Sequence, residues 1–178
     1  MALSVLLISV TFLSVAQTPR YNIGKPAIAE EIRKRETSVA PDGTGLPVGS
    51  GNVEEGRHIY KVLCASCHGD KGQGVGEYPA LAGGQHTLKS KDPILTVGSY
   101  WPYATTVWDY TRRAMPYQRP GTLTRNETYA VTAFILFMNG IVDQKMELNE
   151  KNLPKVKMPN REGFVSDPRP DVPVGTKN

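Results

Sequence analysis

Apolar residues in the middle of the chain recur at helical spacing, and the clearest starting point is Asn52. Asn52 and Glu55 form the pattern of a capping box, in which each side chain satisfies a backbone amide at the start of a helix. The apolar or small residues that follow on one face are Gly56, Ile59, Tyr60 and Leu63. The pattern therefore predicts a helix that runs from Asn52 until Gly69 stops it.

Two further stretches have the same periodicity. Residues 101–114 are predicted to form a second helix, with Pro102 suited to its first turn. Residues 123–140 give the strongest pattern: Thr124 and Glu127 form another capping box, and the second half is almost wholly apolar. This third helix should be buried on more than one face. No alternation of apolar and polar residues is strong enough to predict a sheet, so the predicted fold class is all-α.

Long irregular arms flank the helical region. Residues 17–51 are polar and interrupted by proline and glycine, with one short helix predicted at 27–36. Residues 141–178 are polar and rich in proline, and are predicted to lie extended. Both arms are too polar to form a second core. They nevertheless carry spaced apolar anchors, which predict ordered packing on the domain or on a partner: Tyr21, Ile23, Leu46, Leu153, Val156, Met158 and Phe164.

Length and charge limit the classes of function. The chain has 178 residues, enough for one domain plus these extensions, and a net charge of +4. No run of basic residues is interleaved with aromatic ones, so nucleic acid is not an expected partner. Residues 1–16 have an apolar centre that is shorter than the roughly 20 residues of a membrane-spanning helix. Small residues follow it, which predicts a cleaved signal peptide, export to the periplasm, and a mature protein without a membrane span. The alternative is that the segment stays on as an uncleaved N-terminal anchor.

The stretch CASCH, Cys64 to His68, contains both cysteines of the chain. Three chemistries fit a Cys-x-x-Cys pair: dithiol redox exchange, a structural zinc site and covalent attachment of c-type haem. Zinc needs four ligands, and His58 and His86 do not stand at zinc-finger spacing. A dithiol site has no need of an adjacent histidine. Haem attachment uses both thiols and a histidine ligand to the iron, so it is the favoured interpretation.

A glycine-rich loop, residues 69–86, follows the motif. It lacks the lysine and the preceding strand of a phosphate-binding loop, so that function is rejected. We expect its glycines to let the backbone approach a flat haem closely.

The second axial ligand decides between electron transfer and chemistry at an open iron. The candidates in the sequence are Met115, Met138, Met146, Met158, His58 and His86. Met115 is favoured because it stands in an irregular Met-Pro loop between two predicted helices, with polar neighbours. Met158 and His86 remain alternatives, while Met138 is interpreted as core packing and Met146 as an exposed linker residue.

The order of capped helix, CASCH, glycine-rich loop, helix, Met-Pro loop and apolar last helix resembles a class I cytochrome c over residues 52–140. The resemblance implies one covalently bound haem c. It also implies that the first helix crosses the last one, with Gly56 and Tyr60 near Tyr129 and Ala133.

A closer resemblance extends into both arms. The stretches that carry it are PDGTGLPVGSG, TVGSYWPYATTVWDYTRRAMPY, ETYAVTAFILFMNGIV and LPKVKMPNREGFVSDPRPD. They are similar to the cytochrome subunits of periplasmic sulfite and sulfane dehydrogenases. The resemblance implies a molybdenum-containing catalytic partner, a downstream cytochrome or oxidase, Cys64 and Cys67 bound to haem, and His68 and Met115 as axial ligands. Some sulfane dehydrogenase subunits carry a second cytochrome domain, whereas this chain has one haem motif.

Donors that stand close together before Met115 are candidates to bind the haem propionates, which are anionic and need partners when partly buried. We expect at least one of Trp101, Tyr103 and Arg113 to do so. Two other functions stay open at this point: a free cytochrome shuttle, and a haem enzyme such as a peroxidase with an open distal side.

Overall fold

Helices make up most of the regular structure in the computed structural model, which describes residues 23–35, 38–165 and 169. The elements of this described part are α1 (Ala29–Arg35), β1 (Ser50–Asn52), α2 (Val53–Leu63), α3 (Ala65–His68), α4 (Ala104–Ala114), α5 (Arg125–Met138), β2 (Glu147–Asn149) and a 3-10 turn at Leu153–Lys155. The predicted all-α class is confirmed, with one small sheet added. The predicted signal peptide and Tyr21 lie outside the described residues.

The described residues fall into two compact units, with residues 23–35 in the first and residues 38–165 in the second. In the first unit, α1 forms within the predicted range of 27–36. Ile23, expected to be an anchor, is 90% exposed.

The start of α2 is the predicted one, but its end is different. The Asn52 side chain accepts a hydrogen bond from the Glu55 amide at 2.9 Å, and the Glu55 carboxylate accepts one from the Asn52 amide at 3.2 Å. The helix then ends at Leu63, because Cys64 has a φ of −123°. A separate turn, α3, carries the rest of the motif and ends at Gly69, whose φ is +79°.

The second predicted helix begins three residues late. α4 starts at Ala104, and Tyr103 before it is extended, with φ −135° and ψ 132°. A residue that precedes proline is disfavoured in helical conformation, which keeps Trp101 out of the helix. In addition, the Trp101 ring packs edge-on against Tyr110 of α4.

α5 has the predicted capping box, formed by Thr124 and Glu127, and is the centre of the fold. Every residue from 128 to 136 is buried, so the prediction of burial on more than one face is confirmed. The helix ends at Met138, and Asn139 caps it before Gly140, which has a φ of +68°.

The predicted crossing of α2 and α5 is present at Gly56. A methyl group at this position would fall well inside van der Waals contact with the carbonyl of Ala130. One turn further along, the rings of Tyr60 and Phe134 meet edge to face at 5.2 Å. The contacts on α5 therefore come one residue after the implied Tyr129 and Ala133.

Substituting Gly56→Ala is expected to lower the free energy of unfolding by about 1–3 kcal/mol, because two helix backbones would have to separate. Guanidinium unfolding of the holoprotein measures this. Lys61→Ala on the same helix is the matched control, since Lys61 is exposed. Equal stability of Gly56→Ala and Lys61→Ala would contradict the close crossing.

The prediction that the chain forms no sheet was wrong. β1 and β2 pair antiparallel, with Ser50 opposite Asn149 and Asn52 opposite Glu147. Strands of three residues are too short to show an alternating pattern, and their pairing joins positions nearly 100 residues apart. The pairing brings the C-terminal arm to the start of α2.

Residues of both arms contribute to the core. Val39 before α2 and Leu148 after α5 are buried, as are the predicted anchors Leu153 and Met158. Leu46 and Val156 pack against the same core and are partly buried. Met146 was predicted to be an exposed linker residue, which is wrong: it is partly buried against the core, and its carbonyl accepts a bond from Val53.

Candidate haem site

The two cysteines stand at the junction of α2 and α3. The Cys64 amide still donates to Tyr60 of α2 at 2.8 Å, while the Cys64 carbonyl accepts from the amides of Cys67 at 3.1 Å and His68 at 2.9 Å. The Tyr60 hydroxyl donates to the carbonyl of Gly69 at 2.9 Å. The buried ring of Tyr60 thus holds both ends of the motif on the α2–α5 core.

Both cysteines are partly buried, and neither forms a disulfide. Burial raises the pKa of the Cys64 thiol to about 11, with a second contribution from Cys67. A neutral sulfur is therefore favoured at Cys64. This environment suits a thioether and disfavours the thiolate that zinc requires.

His68 is oriented by the loop that follows it. Its Nδ1 lies 2.9 Å from the carbonyl oxygen of Pro79. A carbonyl can only accept, so Nδ1 carries the proton and Nε2 keeps its lone pair. This is the arrangement of a histidine prepared to bind a metal through Nε2.

The glycines of the loop place Pro79. The amide of Gly74 donates to the carbonyl of His68 at 2.7 Å, and the amide of Leu81 donates to Gly72 at 2.7 Å. Gly74 has a φ of +80°, and a side chain there would meet the Tyr78 carbonyl at 2.6 Å. Gly74 therefore lets the loop pack closely against its own backbone.

Asn139 supports the same loop, and the sequence analysis missed it. Its side-chain amide donates to the carbonyl of Leu81 at 3.0 Å and to the carbonyl of Ile135 at 2.9 Å. The end of α5 therefore fixes the loop that carries Pro79. In the sequence, an asparagine before Gly140 indicates only the end of a helix.

Met115 directly follows α4. Its amide donates to Thr111 at 3.1 Å, and its backbone is extended, with φ −123° and ψ 151°. The side chain is partly exposed, while Pro116 after it is buried. The chain thus leaves α4 at Met115, as the sequence predicted.

The other candidate ligands have different surroundings. The imidazole of His58 is 77% exposed and lies 3.5 Å from Glu54. His86 is exposed and has a φ of +66°. Met138 is partly buried against the core, and Met158 is only 3% exposed within it. Within the described ranges, no three His, Cys, Asp or Glu side chains gather where they could hold a metal ion, which is the arrangement that the zinc alternative needs.

The predicted propionate donors fall into two groups. Trp101 and Tyr103 are partly exposed in the segment before α4. Arg113, in contrast, is paired with Asp109 one helical turn away, with Nε 3.0 Å from Oδ1. Arg112 donates to the carbonyls of Gly121 at 2.8 Å and Leu123 at 2.6 Å, so it fixes the loop before α5.

A covalently bound haem fits these residues. The two sulfurs are free, the Nε2 lone pair of His68 is left for iron, and a thioether stands at Met115.

No helix of the described part is long and apolar enough to cross a membrane.

Three comparisons with known proteins agree with this geometry. The family model for cytochrome c matches residues 53–139. A chain in the crystal structure of the sulfane dehydrogenase SoxCD from Paracoccus pantotrophus is 40% identical, with a TM-score of 0.77 over 89% of this chain and 85% of that one. Cytochrome c-554(547) of Halothiobacillus neapolitanus is 47% identical over 34 residues, which are 19% of this chain and 37% of the relative.

The predicted resemblance to a class I cytochrome c is confirmed by the family match and by the similarity to SoxCD over most of both chains. Together with the geometry of CASCH, these findings give the identity of the chain: it belongs to the cytochrome c family and is a class I c-type cytochrome with one covalently bound haem c.

Proposed function

We propose that this cytochrome is the electron-accepting subunit of a molybdenum-containing sulfane or sulfite dehydrogenase. The observation that supports this proposal is the extent of the similarity to SoxCD. It covers 89% of the chain, whereas the cytochrome c match ends at residues 53 and 139. Similarity of the arms is expected when the arms share a partner, since a free shuttle needs little beyond the core.

Within the haem site, we assign Cys64 and Cys67 to the two thioether links and His68 and Met115 to the axial positions. A haem c with these ligands supplies one-electron redox chemistry. Pro79 orients His68 through Nδ1. Met158 is enclosed by the core at 3% exposure, which favours packing there, whereas Met115 is partly exposed where α4 ends.

We assign Trp101 and Tyr103 to the propionates. The Trp101 indole and the Tyr103 phenol can both donate hydrogen bonds, and both residues precede α4. The pairing of Arg113 with Asp109 occupies part of its guanidinium, so its predicted contact with a propionate is less favoured than the other two.

The proposed location is the periplasm, with residues 1–16 as the export signal. Electrons would pass from the molybdenum subunit to this chain, and from it to a downstream cytochrome or oxidase of a respiratory or photosynthetic chain. If His68 and Met115 both bind the iron, no position would be left open for substrate, which favours electron transfer over peroxidase chemistry.

Purification of the tagged full chain from its native periplasm tests the proposal. We expect a molybdenum-containing subunit to co-purify, and the haem to be reduced within the complex when sulfite or thiosulfate is added. Stopped-flow absorbance measures the reduction, and a complex treated with a molybdenum-site inhibitor is the control. A haem protein that purifies without molybdenum and is not reduced by either compound would be a free shuttle.

A further inference from the structure

The C-terminal arm folds over the segment that precedes α4. We call residues 158–164 the tail strap. Its side chains make three contacts with this segment: Asn160 donates to the Tyr100 carbonyl at 2.7 Å, Phe164 packs edge-on against the Tyr100 ring at 5.3 Å, and the Arg161 guanidinium lies 4.5 Å from the centre of the Tyr103 ring.

The tail strap is anchored and has its own turn. Met158 at its start is buried in the core. Its carbonyl accepts from the Arg161 amide at 3.1 Å, and the Asn160 carbonyl accepts from the Gly163 amide at 3.1 Å. Arg161 is therefore presented from a fixed backbone rather than from a loose tail.

The segment under the tail strap, residues 97–103, contacts two elements that position the assigned axial ligands: α4, which Met115 follows, and the loop that orients His68. On one side, Trp101 packs against Tyr110 at 5.7 Å, and Tyr110 lies on α4, the helix that Met115 directly follows. On the other side, the Val97 amide donates at 3.3 Å to the carbonyl of Leu81, in the loop that orients His68. A haem held by both ligands would therefore have Trp101 and Tyr103 close to its edge.

In the described part of the chain, Arg161 has no acidic partner, unlike Arg57 and Arg113. Arg57 is 3.2 Å from Glu54, and Arg113 is paired with Asp109. Among the residues that the structure describes, no carboxylate lies within ion-pair distance of Arg161, although its guanidinium is held in place on an aromatic ring.

We infer that Arg161 is a haem-binding residue that pairs with a propionate beside Tyr103. A propionate is the anionic group that a haem brings to such a place, and guanidinium is the side chain that best binds a carboxylate through two hydrogen bonds. The inference rests on the haem site of the proposed function, but not on the dehydrogenase partner.

A positive charge at this position has a measurable consequence. Oxidation adds a positive charge to the iron, so a nearby cation disfavours the oxidised state and raises the midpoint potential. Removing the cation should shift the ratio of reduced to oxidised protein, at a fixed potential, by several-fold and at most about tenfold, which is about 59 mV for one electron.

Spectroelectrochemical titration of isolated full-length holoprotein tests this. Arg161→Gln is expected to lower the midpoint potential by that amount, and Arg161→Lys, which keeps the charge, by less than half as much. The matched control is Arg57→Gln, since Arg57 also lies over an aromatic ring, 4.9 Å from the centre of Phe134. The control should leave the potential unchanged.

Three results would overturn the inference. They are an unchanged potential in Arg161→Gln, a shift no larger than that of Arg57→Gln, and equal shifts in Arg161→Gln and Arg161→Lys, since the last would mean that packing and not charge is responsible. Because no partner is present in the titration, these results are independent of whether a molybdenum subunit co-purifies.

Discussion

Replacing Cys64 or Cys67 with alanine is expected to remove most of the covalently bound haem from the purified protein. Each thiol can form one of two thioether links, with Cys64 at the α2–α3 junction and Cys67 within α3. A single remaining link leaves the haem held at one edge only. Extraction with acidified acetone, followed by measurement of the haem in the protein pellet, gives the covalently bound fraction.

Ser66→Ala is the matched control for this pair. Ser66 is exposed between the two cysteines, and its hydroxyl makes only a long contact of 3.9 Å with the Cys67 sulfur. It should retain the covalent haem of the natural sequence. If the haem of the unmodified protein is extracted by acid-acetone, the assignment of both cysteines fails.

Local sequence patterns were sufficient to predict where α2 and α5 begin and that the chain binds one haem c. Both capping boxes act within four residues, so Asn52 and Thr124 could be identified without any tertiary information. CASCH is equally local, because two thiols and a histidine must reach one haem. These features depend on chemistry between near neighbours, which a sequence displays directly.

Features that depend on distant parts of the chain were missed. α4 begins three residues after the predicted position, because Tyr103 is extended, and its ring lies under the Arg161 guanidinium from about 60 residues later. The sheet was missed because its strands are short and because β2, the partner of β1, lies beyond α5.

The role of Pro79 belongs to the same class of long-range information. A proline in a glycine-rich loop gives no sign that its carbonyl will meet His68, 11 residues earlier. The contact arises because Gly72 and Gly74 turn the loop back, and because Asn139 holds Leu81 from the end of α5. The histidine could be predicted from the motif, but its orientation required the fold.

Replacing Met115 with histidine is expected to lower the midpoint potential by roughly a few tenths of a volt, within the span of about 0.8 V that axial ligands control. A thioether favours the reduced iron more than an imidazole does. The weak red absorption band of oxidised iron bound to methionine should disappear at the same time. Redox titration and the spectrum of the oxidised protein measure the two effects.

Two leucine substitutions decide between the methionines. Leucine is close to methionine in volume, so Met115→Leu and Met158→Leu each remove a sulfur at a cost below about 1.5 kcal/mol in packing. Met115→Leu should abolish the red band, and Met158→Leu should keep it, because Met158 is 3% exposed and packs in the core. Loss of the band in Met158→Leu alone would assign the axial position to Met158 in the C-terminal arm, and Met115 would then be a packing residue after α4.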